Sequence, residues 1–138
     1  MKRDDLTGVR RAIVLNNLSF LVALDSSSAT KDIDALKLVQ EAKDILGPNP
    51  DILDTRAVAH ISRKEYQDAI QDLELSVTDN PTASKYFHKA HAHLLAGENR
   101  AAVQAWEKAE ALGLNHDAIN LMEIQLFDQL KTKIDQLR

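Results

Sequence analysis

Residues 53–81 read LDTRAVAHISRKEYQDAIQDLELSVTDNP, and residues 85–115 read KYFHKAHAHLLAGENRAAVQAWEKAEALGLN. Displaced by 33 positions, the two stretches agree in residue type where a pair of helices has to be buried: Ala57 with Ala90, His60 with His93, Ala69 with Ala102, Ile70 with Val103, Leu73 with Trp106, and Ser76 with Ala109. An internal period of that length with small residues at fixed places marks a repeat whose unit is one helix pair. A methyl group at the crossing lets two antiparallel helix axes approach to the short end of the ~8–10 Å range, where a larger side chain would hold them apart. Leu73 and Trp106 then cover the space beside each crossing. One pair alone leaves an apolar flank that only a neighbouring unit can bury, so the units have to stack.

The pattern extends outward in both directions. Gly47-Pro48-Asn49-Pro50 stops one helix and starts the next, because glycine suits the left-handed position after a helix and proline suits a first helical turn. Asn80-Pro81 does the same one unit later. These signals predict helices over 50–62, 66–79, 82–96 and 99–112, with Gly113 ending the last of them. Upstream, Ala35, Val39 and Ala42 recur at helical spacing within 32–46, and Ala35 precedes Ala69 by 34 residues, so a first unit joins the series. Its other helix is predicted over 9–24, opening after Thr7 as N-cap, with Ile13, Leu18, Leu21 and Val22 close together on the wheel. The polar segment DSSSATKD between them makes this loop about four residues longer than its equivalents, an insertion a surface loop tolerates. Downstream, Ile119, Met122, Leu126, Leu130, Ile134 and Leu137 follow a helical period without the small-residue pattern of a repeat. That segment reads as a cap over the last flank, polar outward through Asp128, Lys131, Lys133 and Asp135. A protruding amphipathic helix is the alternative.

Composition agrees and excludes much. The 138 residues suit one domain, and 44% hydrophobic content supports a continuous core. With aromatics at 4%, three prolines and four glycines, alanine and leucine carry the burial and the chain reads as all-helical. Seventeen basic and 21 acidic residues are intermixed, without the basic face that a nucleic-acid backbone requires. Cysteine is absent, which rules out disulfides and thiolate metal sites and fits a reducing compartment, with the cytoplasm the first expectation. Residues 1–8 are charged, without the apolar stretch of a signal peptide, and no run approaches the ~20 apolar residues of a membrane span. A soluble chain is expected, and one that can be part of something longer.

The period, the small residues and the proline punctuation resemble the tetratricopeptide repeat (TPR) family. The resemblance implies an all-α fold, an α-α superhelix built as a TPR-like solenoid of antiparallel helix pairs. Its parts are an N-terminal tail 1–8, three helix pairs over 9–115 (9–49, 50–81 and 82–115), and a C-terminal capping helix 116–138. Two positions depart from the family pattern. Arg56 stands where the family has a leucine-like residue, and its guanidinium is expected to reach a carboxylate on an adjacent helix. Lys64 takes the turn position that Gly97 fills one unit later, where a left-handed backbone costs lysine on the order of 1 kcal/mol.

In the family, the first helix of each pair lines an inner groove. Carried over, the contact set is Asn16, Asn17 and Phe20 from the first unit, Asp51, Asp54, Thr55, Val58 and Ile61 from the second, and Phe87, His88, His91 and Leu94 from the third. Such a surface takes an extended peptide or a helix of another protein, basic or amphipathic because of Asp51 and Asp54. The alternative is that Phe20, Val58 and Phe87 pack against each other or against the terminal helix. One subtype clamps the carboxylate tail of heat-shock chaperones with basic residues and asparagines. Asn16 and Asn17 fit that set, but the basic partners are missing and two aspartates would repel a carboxylate, so that ligand is not expected. The rival to a peptide groove is a structural module that self-associates, a homo-oligomer.

Chemistry finds little purchase. His88 and His91 share a helix face, but His93 lies about 200° round from His91, and no acidic residue of that helix completes a metal site. His60 and His93 are expected between helices with one nitrogen satisfied. The chain has no glycine-rich phosphate loop, no GxSxG elbow and no cysteine nucleophile. No cofactor, metal or enzymatic role is expected, and the function implied is that of a protein-interaction scaffold.

Overall fold

The computed structural model describes residues 3–138, with side chains from residue 6 onward. Among the described residues seven α-helices follow one another: α1 (Arg3–Leu24), α2 (Ala35–Leu46), α3 (Pro50–Ser62), α4 (Tyr66–Asp79), α5 (Ala83–Leu95), α6 (Asn99–Ala111) and α7 (Ile124–Leu137). Among the described residues there is no strand. Local chemistry places the boundaries. The side chains of Asp34, Asn49 and Thr82 accept from the backbone N–H groups of Lys37, Ile52 and Lys85 at the starts of α2, α3 and α5. Pro50 occupies the first turn of α3, and Gly47 closes α2 at φ 80°.

The turns inside the second and third pairs have the same construction. Lys64 at φ 64° and Gly97 at φ 80° stand 33 residues apart, the lysine accepting a left-handed backbone that glycine adopts freely. On either side, the backbone N–H of Glu65 donates to the carbonyl of His60 at 2.9 Å, and that of Glu98 to His93 at 2.9 Å.

The helices pack as α1 with α2, α3 with α4, and α5 with α6; α3 also rests on both helices of the first pair and α5 on both of the second. This is an all-α helical-repeat architecture, with α1, α3 and α5 adjacent in sequence along one side. The small residues sit where the period puts them: Ala57, Ala69, Ala90, Ala102, Ser76 and Ala109 have no exposed surface. Polar ties bind the helices across these contacts. Ser76 Oγ donates to the Pro50 carbonyl at 2.6 Å, and Ser19 Oγ to that of Ala35 at 2.7 Å. Arg56 grips Asp72 on α4 through Nε and Nη2, both at 2.8 Å, and reaches Gln40 on α2 at 3.4 Å, the carboxylate contact its position implies.

Three sequence expectations change. The first two residues of the 1–8 tail lie outside the described residues, and from Arg3 onward the tail is helix, so Thr7 is internal to α1 rather than its N-cap. The buried stripe of α1 is Ala12, Leu15, Ser19 and Val22, while Ile13, Leu18 and Leu21 are exposed. α1 carries apolar residues on two faces, and only docking decides which one is covered. Finally, 116–138 is not one helix. Asn115 accepts from the N–H groups of Asp117 and Ala118, and Asn120 from Met122, which converts the approach to α7 into two short 3₁₀ turns. Phe127, Leu130 and Ile134 are buried and Glu123 with them, while Met122 and Leu137 are exposed.

Candidate functional site

The inner side of α1, α3 and α5 is where the contact set was expected, and the chain's own C-terminal segment enters it. His88 on α5 is the centre. Its Nδ1 lies 2.7 Å from Asp54 Oδ1 on α3, and its Nε2 lies 2.7 Å from Glu123 Oε2 in the turn before α7. Two carboxylates facing both ring nitrogens need both to donate, so the ring is an imidazolium. Burial alone drives its pKa down; Asp54 and then Glu123 more than offset this and raise it to about 10. Phe20 of α1 closes the cage, its ring centroid 5.9 Å from that of His88.

Phe87 also lies against His88, with ring centroids 5.7 Å apart. It is fully buried against Trp106 and Phe127, with centroids 6.1 Å from each, and belongs to the core that α7 completes. Thr55 and Val58 are buried as well, and Ile61 packs on the Ala57–Ala69 crossing. Phe87, Thr55, Val58 and His88 are thus buried within the chain while Ile61 is only partly so, and the alternative of packing against the terminal helix describes Phe87. Asp51 is exposed but 3.2 Å from the buried Lys85 ammonium, which also donates to the Asn80 carbonyl at 2.9 Å. Both aspartates that suggested a basic partner are thus paired internally. Asn16 and Asp54 are half-buried, and Asn17 is exposed.

His91 and Leu94 lead to open surface. They line a groove of about 670 Å³ between α5 and α7, in which His91, Leu94, Leu126 and Leu130 are the more buried side chains and Leu95, Gln129 and Lys133 are exposed at its rim. Burial first, then the positive charge of His88, lowers the His91 pKa to about 4, so this imidazole is neutral at pH 7. Sequence reasoning missed this groove because it treated α7 as a cover rather than a wall. It also missed Glu123, whose signal was a single carboxylate in the otherwise uncharged stretch INLMEIQLF.

Among the described residues, one group has metal-ligand character: His60, Glu65 and Asp68, whose ligand atoms lie within 4.8 Å of each other. Glu65 is already engaged, by Arg63 Nε at 2.9 Å and His60 Nδ1 at 3.3 Å. The pair recurs as His93 and Glu98, 3.6 Å apart and too long for a hydrogen bond, with Ala101 in place of Asp68. The histidine–glutamate pair thus recurs with the turn and is hydrogen-bonded in the first copy only. No helix among the described residues is long and apolar enough to cross a membrane. No protein-family model matches this sequence, and no curated protein is found similar to it.

Proposed function

We propose that the chain is a protein-interaction scaffold of the tetratricopeptide repeat kind, binding an amphipathic helix or peptide of a partner protein beside α5. The groove between α5 and α7 carries this reading. Leucines along its floor suit the apolar face of a helix, whose backbone polar groups are satisfied internally, while Gln129, Thr132 and Gln136 offer hydrogen bonds at the rim. Apolar surface buried there stabilises a complex at ~25 cal/mol per Å². Asp54 is held by His88 and the exposed Asp51 by Lys85, neither lines the groove, and Lys133 is the charge that does, so the partner is amphipathic rather than basic. The role is that of a binding module, not an enzyme, in a reducing compartment such as the cytoplasm. The repeat family rests on the period of 33 residues and on the burial of Ala57, Ala69, Ala90 and Ala102 at its equivalent positions.

The test is selection of helical peptides from a displayed library on the folded chain. Hits are expected to lose at least tenfold in affinity on Leu95→Glu or Lys133→Glu and to keep it on Leu75→Glu, an exposed leucine of α4 outside the groove. Peptides indifferent to both groove changes, or no hits, would remove the reading.

A further inference from the structure

The outer face of α1 is apolar and uncovered among the described residues. Leu6, Ile13, Val14, Leu18 and Leu21 are 40%, 49%, 62%, 41% and 43% exposed, although the opposite face already supplies Ala12, Leu15 and Val22 to the core. A helix apolar on both sides is built for contact on both sides, and large apolar side chains exposed together on one face mark an interaction surface.

We propose that this face pairs with the same face of a second copy, the two α1 helices running antiparallel about a twofold axis between Ile13 and Val14. Two features of the chain select this occupant. First, the stripe reads alike from either end. Positions equidistant from that midpoint are Leu6 and Leu21, Ile13 and Val14, and Arg10 and Asn17, so an antiparallel pair sets leucine on leucine and an amide beside each guanidinium. The two Arg10 side chains are held about 10 Å apart along the axis by the helical rise, which avoids like-charge contact. Such self-complementarity is what an isologous interface requires. Second, the opposite end of the molecule cannot serve. The exposed face of α7 presents Asp128, Lys131, Lys133 and Asp135, so head-to-tail stacking would set leucines against charges. The contact gives the self-association expected of such a module a defined surface, and it is independent of the groove between α5 and α7.

The chain has no cysteine, so introduced thiols report the geometry without background. Under mild oxidation, a mixture of Leu6→Cys chains with Leu21→Cys chains is expected to give cross-linked dimers. Either variant alone is not, because identical positions lie about 22 Å apart along the antiparallel pair. Sedimentation should show a dimer at tens of micromolar that becomes monomeric on Val14→Glu, with helical circular dichroism unchanged. A wild-type monomer at several hundred micromolar, a dimer indifferent to Val14→Glu, or cross-linking of Leu6→Cys alone would overturn the proposal. The last result would mean a parallel pair, and the first a different occupant.

Discussion

The His88 ring and the Glu123 carboxylate meet at 2.7 Å in a site where both residues are almost completely shielded from water. That contact joins α5 to the turn before α7 and closes the inner wall over part of its length. Glu123→Gln keeps the shape and an acceptor oxygen but removes the charge, leaving Asp54 as the one carboxylate facing His88. A loss of about 2 kcal/mol is expected in urea unfolding, the scale of a buried charge-assisted hydrogen bond.

The titration of His88 sets a limit at alkaline pH. Its folded pKa, about 10, lies above the ~6.5 of an unfolded histidine, so the stabilisation is complete below pH 6.5 and is lost as pH rises toward 10. Between these values the unfolding free energy should fall by up to ~1.4 kcal/mol per pH unit. His88→Gln should flatten this limb, which urea midpoints at pH 6.5, 8 and 9.5 would show.

His91 acts in the opposite direction. Its folded pKa of about 4 lies below the unfolded value, so its contribution is complete above ~6.5 and is lost as pH falls toward 4. Wild-type stability is expected to be greatest near pH 6.5, and His91→Gln should soften the acid limb selectively. An unchanged acid limb would refute the assignment.

Arg56 and Asp72 should behave as a unit. Arg56→Leu leaves the buried Asp72 carboxylate without its guanidinium and is expected to cost about 3 kcal/mol. Adding Asp72→Leu should restore most of that loss, because an apolar pair of similar volume no longer buries an unmatched charge. Thermal melts of the two single variants and the double variant give the coupling directly.

Phe87→Ala tests a residue that belongs to the core. Emptying the space among Trp106, Phe127 and His88 should cost about 3–5 kcal/mol, whatever the protein binds. Loss of a partner on this change would therefore report unfolding, and groove variants have to be made at Leu95 or Lys133.

Much of the architecture is written in short-range chemistry. Helices α3 and α4 begin and end at the residues expected from Asn49-Pro50, Lys64 and Asn80-Pro81, since caps and turn preferences act over a few residues. The 33-residue period likewise places Ala57, Ala69, Ala90 and Ala102 at helix crossings, because each unit repeats the same steric requirement. Position along the chain was less informative where two solutions have similar local energy. In α1, both Ala12–Leu15–Val22 and Ile13–Leu18–Leu21 form apolar stripes, and only the arrival of α2 and α3, with Ser19 finding the Ala35 carbonyl, decides which is buried. The same holds for His88, Asp54 and Glu123. Thirty-four and 35 residues separate the histidine from its two carboxylates, and their pairing exists only once α5 has docked on α3 and the C-terminal turn has folded over both.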